Sequence, residues 1–221
     1  MPRSGMKTKK KIPLLTSLEG LRALALRQHA EIRRLIALSD RDFLTKLLNR
    51  RGFDREVGSV LDQMRAQAHA AHKRRDVPKN FSIIFIDIDN FKWYNDSFGH
   101  ACGDVVLEKF SFFLQKHFRA TDYLCRWSGD EFMLGLVGAS HTQAERSVEG
   151  FMRLLAGKRI ILRCAKKKKK SQAVIVRASF GIASVYDPFR SRPVFDMRSL
   201  VDKADAYMYE QKHRRKIMWK R

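Results

Sequence analysis

Long apolar runs are missing from this 221-residue chain, and none approaches the ~18 residues that a membrane-spanning helix requires. The N-terminus is basic, but Glu19, Arg22 and Arg27 interrupt the apolar segment behind it, so no signal peptide is expected. Cysteine is scarce. Cys102, Cys125 and Cys164 are far apart and form no C-x-x-C pair, which argues against a zinc site or a redox motif and leaves reduced thiols in a cytoplasmic protein as the expectation. Acids are also in short supply, with 23 Asp and Glu against 45 Lys and Arg, a net charge of +22. That excess implies polyanionic company: nucleotides, nucleic acid or an anionic membrane surface. Charge alone does not choose among them, and no internal repeat narrows the choice.

What is present is ordinary core material, 44% hydrophobic with 15 Phe and 3 Trp. The length suits one domain with extensions. Residues 1–13 are basic and read as disordered. Leu18, Leu21, Ala25, Gln28, Ile32 and Leu35 recur at helical steps between Leu14 and about Asp40. That helix is either a short coiled-coil stalk pairing two chains or an amphipathic helix lying on its own domain. A second helix is expected from Gly52 to about Arg75, its end made basic by Lys73-Arg74-Arg75. Phe81 to Asp89 is nearly all apolar and reads as a central strand covered on both faces. Asp87 and Asp89 end it on one side, and Asp89 is expected to cap the next helix. Helices over 90–97, 104–118, 141–156 and 197–214 follow from periodicity, with a two-glycine turn over 98–103. Strands are expected at 159–163 and 173–183, flanking the five lysines Lys166 to Lys170. That lysine run reads as a solvated tip or a phosphate contact.

Between 123 and 137 lies a hairpin with Ser128-Gly129 at its turn. Gly129 supplies the positive φ that a tight hairpin needs. Asp130 and Glu131 sit there, adjacent acids on an otherwise apolar hairpin. If the hairpin lies beside the central strand, Asp87, Asp130 and Glu131 converge. Such carboxylates with a phosphate partner suit Mg²⁺, and backbone N–H groups after Asp89, with Lys92, suit phosphate oxygens. The residues alone therefore read as metal-dependent phosphoryl or nucleotidyl transfer. Acids that merely balance a basic chain are the alternative.

Ser128-Gly-Asp-Glu-Phe132 resembles the GGDEF signature of diguanylate cyclases. Asp42-x-Leu-Thr-x-Leu-x-Asn-Arg-Arg51, Ile86-Asp-Ile-Asp-Asn-Phe-Lys92, Asn95-Asp-x-Phe-Gly-His100 with Gly103-Asp104, Ala178-Ser-Phe-Gly-Ile-Ala183 and Ala204-Asp-Ala-Tyr-Met-Tyr209 with Lys212 are similar to the family's other motifs, in order and at family spacing. The resemblance runs from about Asp42 to Lys216. It leaves 1–41 as a basic tail and helix, 42–216 as the GGDEF domain and 217–221 as a basic tail.

The resemblance implies an α+β, polymerase-palm-like fold with a mostly antiparallel central sheet covered by helices. It implies condensation of two GTP into cyclic di-GMP, with loss of two pyrophosphates, across a homodimer whose domains each hold one GTP. By position, Asp87, Asp130 and the backbone carbonyl of Ile88 would bind Mg²⁺ or Mn²⁺. Asp130 and Glu131 would serve catalysis, and Lys92 would steady phosphate charge. Asn90, Phe91, Asn95, His100, Asp104, Lys212 and Lys216 fall in the substrate segments, with Asn95 and Asp104 on the guanine edge. A carboxylate suits guanine's N1–H and N2–H₂ donors, so Asp104 favours GTP over ATP. Arg119-Ala-Thr-Asp122 lies five residues before the signature and resembles the family's product-inhibition motif. Three departures stand out: Ser128 for the first glycine, Arg215 for a glycine, and Lys216 for arginine. Two other readings remain. One is a catalytically silent relative that binds GTP or cyclic di-GMP, and the other is a nucleic-acid-binding protein.

Overall fold

The computed structural model describes residues 18–70, 76–162 and 171–218, with side chains for 20–32, 40–70, 76–162 and 171–214. The basic N-terminal stretch, Lys73-Arg74-Arg75, Cys164, Lys166 to Lys170, the Arg215 and Lys216 side chains and the last three residues lie outside them. The chain divides between Ser39 and Asp40 into two compact units. The first carries helix α1, Leu18–Ser39, on which Leu21, Leu24, Leu26 and Ile32 are exposed.

The second unit is an α+β domain built on β2, Phe81–Ile88, whose eight residues are all buried. Its side chains alternate between two cores, as the period of a strand dictates. Ile84, Ile86 and Ile88 join one core with Phe110 and Leu114 of α4 (His100–His117) and Phe151 of α5 (His141–Ala156). Phe81, Ile83 and Phe85 join the other with Phe53 and Val57 of α2 (Arg50–Ala68) and Leu200, Ala204 and Met208 of α6 (Met197–Met218). The sheet runs β1-β3-β4-β2-β7, where β1 is Leu48–Asn49, β3 Tyr123–Ser128, β4 Glu131–Val137 and β7 Ala178–Ser184. Every pairing is antiparallel except β1 with β3. Strands β5 (Ile160–Leu162) and β6 (Gln172–Val174) form a separate two-stranded sheet.

Several boundaries differ from the periodicity for identifiable reasons. Helix α2 starts at Arg50, because the Asn49 side chain accepts the Gly52 N–H at 2.9 Å and caps it. It ends at Ala68, short of the basic run. Gly99 alone breaks the chain between α3 (Phe91–Phe98) and α4, with φ +90°, while Gly103 is taken into α4. The expected strand 173–183 is split. The carbonyls of Ile175 and Arg177 are drawn out of register by the Tyr94 hydroxyl at 3.2 Å and the Asp89 N–H at 2.9 Å. Asp89 does not cap α3. The cap position belongs to Asn90, in the left-handed region at φ +57°.

Helix α6 lies directly on β7 at Gly181. A Cβ there would stand 2.0 Å from the Ala204 carbonyl oxygen and 2.3 Å from the Met208 nitrogen, both backbone atoms. Gly181→Ala is therefore expected to lower unfolding stability by about 3 kcal/mol, read from urea denaturation of the variant against the parent.

Candidate active site

The first carboxylate follows from strand alternation. Asp87 shares the β2 face of Ile83 and Phe85, the face covered by α6. Its register partner on β4 is Glu131, and on β7 it is Ser179. Two acids thus stand directly opposite across an antiparallel ladder, an arrangement that costs stability on its own. Lys212 of α6 answers it, with Nζ 2.5 Å from Asp87 Oδ1.

The hairpin turn is Gly129-Asp130, one residue later than the sequence suggested, because Ser128 still pairs with Glu131. Gly129 takes φ +46°. Among the described residues only Lys46 and Asn90 have positive φ without being glycine, so Ser128 sits where any residue can. The Asp130 carbonyl accepts the Ile88 N–H at 3.2 Å, which fastens the turn to the end of β2. Burial and then the Asp87 charge push the Asp130 carboxyl upward. Burial, Asp87, Asp130 and Asp205 do the same to Glu131. Asp130 and Glu131 thus resist ionising, a state that a bound cation would relieve.

The structure brings these carboxylates together, but they do not form a closed protein cage. Among the described residues no three His, Cys, Asp or Glu side chains make a metal-ligand group. Two aspartate side chains with backbone carbonyls beside them would fit Mg²⁺. That ion keeps waters and takes phosphate oxygens in its remaining positions.

Helices α3 and α4 carry most of the predicted nucleotide residues, with Asn90 just ahead of α3 and Lys212 and Lys216 on α6. Lys92 is exposed on the first turn of α3, whose N–H groups have no capping side chain. Phe91 is half-buried against the core, and Asn95 holds its amide oxygen against Gly103. A Cβ on Gly103 would lie 2.0 Å from that oxygen. Asn95 therefore lies beside the backbone next to Asp104, which is exposed, as is His100. Arg119 and Asp122 occupy the turn between α4 and β3. The Asp122 carboxylate accepts the Arg119 N–H at 3.0 Å and the Val137 N–H at 3.3 Å, so it holds the turn as well.

The family described as "Diguanylate cyclase, GGDEF domain" matches residues 39–217. The chain belongs to the GGDEF family. Diguanylate cyclase DosC of Escherichia coli is 35% identical over 189 residues, which cover 81% of this chain and 35% of DosC. The bifunctional diguanylate cyclase/cyclic di-GMP phosphodiesterase MucR of Pseudomonas aeruginosa is 32% identical over 180 residues, covering 81% of this chain and 23% of MucR. The chain thus spans about a third or less of these relatives. The coiled coil and GGDEF domain of DgcB from Caulobacter crescentus, solved with cyclic di-GMP, superposes with a TM-score of 0.68. It is 20% identical, covers 89% of this chain and 92% of that one, and shares the fold.

Three residues of this GGDEF domain carry structure that the motifs did not reveal. Gln211 accepts the Phe180 N–H at 2.8 Å and so ties α6 to β7 one residue before Lys212. Asp205, about two turns before Lys212 on α6, adds to the negative field on Glu131. Arg126 binds the signature turn to the start of the domain. Its Nε donates to the Gly129 carbonyl at 2.9 Å and its Nη1 to both Asp42 oxygens at 3.3 and 3.2 Å. No sequence spacing joins residues 42 and 126; only the parallel pairing of β1 with β3 does.

Burial raises the Asp42 carboxyl, but Thr45 donates its N–H at 2.8 Å and its hydroxyl at 2.7 Å, and with the Arg126 charge these hold it below the usual range. A depressed value means that the folded state gains from the ionised form above the unfolded value of about 4, and loses that gain as pH falls through the lower folded value. Asp42→Asn is expected to cost about 2 kcal/mol at neutral pH. It should also flatten the fall in stability below about pH 4, measured by denaturation across a pH series.

Proposed function

We propose that this GGDEF domain is a diguanylate cyclase that condenses two GTP into cyclic di-GMP. The observation that supports it most directly is the meeting of Asp87 and Asp130 at the end of β2, with Glu131 opposite Asp87 and Lys212 reaching in from α6. In each of two steps the 3′-hydroxyl of one GTP attacks the α-phosphorus of the other. The new P–O3′ bond forms as the bond to the β-phosphate oxygen breaks, and pyrophosphate leaves with that electron pair. Mg²⁺ held by Asp87, Asp130 and the Ile88 carbonyl supplies charge neutralisation on the phosphates when bound.

The chain's own groups do the rest. Asp130, whose carboxyl is pushed upward, receives the proton of the attacking hydroxyl, and Glu131 completes the same carboxylate cluster. Lys92 and Lys212 bracket the triphosphate, and the first N–H groups of α3 face its oxygens. Asn95 and Asp104 accept from the guanine edge. Each domain holds one GTP, so two copies face each other across the product, and α1 with its exposed Leu21, Leu24 and Ile32 is a candidate for bringing them together. Arg119 and Asp122 form the site through which cyclic di-GMP restrains the reaction. The absence of any membrane-long apolar helix among the described residues is compatible with work in the cytoplasm.

Incubation with GTP and Mg²⁺, after stripping of bound nucleotide, should yield cyclic di-GMP and pyrophosphate on chromatography. EDTA should abolish it. Asp130→Ala should slow it by roughly 100-fold or more. No product from the parent chain overturns the proposal. Ser128→Gly should leave stability within about 0.5 kcal/mol, since Ser128 needs no glycine conformation. Its turnover, measured in the same assay, should match the parent within about threefold if the hydroxyl clears the nucleotide.

A further inference from the structure

The turn that joins Asp87 to the nucleotide helix is held in place by an unexpected strand. Asp89 leaves β2 and Asn90 turns left-handed at φ +57°, ψ +33°, to start α3. The Asn90 side chain does not cap that start. The Asp89 N–H instead donates to the Arg177 carbonyl at 2.9 Å, and the Asp89 Oδ1 accepts the Ser179 hydroxyl at 2.8 Å. Ser179 is fully buried, lies opposite Asp87 in the β2–β7 register, and reaches past it to Asp89. Two residues before Arg177, the Ile175 carbonyl accepts from the Tyr94 hydroxyl of the first turn of α3.

We propose that Ser179 is a positioning residue for nucleotide binding, acting through Asp89. It sets the turn from Asp89 to Lys92, so that the first N–H groups of α3 and the Lys92 side chain meet the triphosphate already in place. The inference rests on the GTP reading above. Two features support it. The bond joins a hydroxyl to a partly buried carboxylate, where a charge-assisted bond is short and strong. And it spans β7 to the turn ahead of α3, so its loss loosens the turn without opening either core.

The test uses the full chain and 3′-deoxy-GTP, which keeps the base and triphosphate but cannot react. Ser179→Ala should raise its Kd, and the KM for GTP, about tenfold, while kcat stays within about twofold. Asp89→Ala should do the same, and Asp89→Asn, which keeps an acceptor for the hydroxyl, should recover most of the affinity. The double variant should bind no worse than Asp89→Ala alone, because the Ser179–Asp89 bond is already lost in it. Parental affinity in Ser179→Ala, strict additivity in the double variant, or kcat falling in step with affinity overturns the inference. If Ser179→Ala does not fold, the Asp89→Ala and Asp89→Asn pair decides it. A parent chain that binds no 3′-deoxy-GTP and makes no product overturns the GTP reading and this inference together. A competent parent with an indifferent Ser179→Ala overturns this inference alone.

Discussion

Asp87 and Glu131 face each other across the β2–β4 ladder, with Asp130 one residue away on the turn. Like charges so placed oppose folding, and the surroundings can be understood as the means of tolerating them. The sheet around them is apolar and closely packed on both faces, which fixes the strand ends. Lys212 supplies the one cation that reaches Asp87 among the described contacts. The remaining cost shows in the raised carboxyls of Asp130 and Glu131. Sites that do chemistry commonly keep such unfavourable charge, with the rest of the fold offsetting it.

Lys212 reaches its position only because α6 sits very close to the sheet. Gly181 lets two backbones touch, and Gln211 fixes the helix by capping the Phe180 N–H on β7. Strand β7 is thus attached on both sides of the site. Gly181 and Phe180 hold the helix that carries Lys212, and Ser179 holds the turn that carries Lys92. The signature hairpin is fastened separately, by Arg126 between the Gly129 carbonyl and Asp42. The site is therefore assembled from three distant segments, each tied by one or two polar bonds onto a rigid sheet.

The sequence showed much of this directly. The apolar run Phe81 to Ile88 could only be a central strand, and the ordered motifs led to an α+β domain with a mostly antiparallel sheet. Asp87, Asp130 and Glu131 were visible as acids where a core had no use for them. The misplaced features share one cause. Asn49 capping α2, Gly103 inside α4 and the break between β6 and β7 all depend on a partner distant in the chain or on a side chain's local geometry, and periodicity records neither. Asp89 shows this plainly. Its position before a helix reads as a cap, yet a hydroxyl 90 residues away takes its carboxylate.

By itself, then, the sequence determined which residues are apolar at which period, and so the elements, the two faces of β2 and the family. It also carried the signature acids, because their chemistry is local to five residues. Tertiary structure alone decided what those acids meet. Whether Lys212 reaches Asp87, whether Arg126 grips Asp42 and whether Ser128 needs a glycine's freedom depend on strand register and on how closely a helix approaches a sheet. Those are set by packing between segments that the linear order keeps more than 80 residues apart for Arg126 and Asp42, and 125 for Lys212 and Asp87.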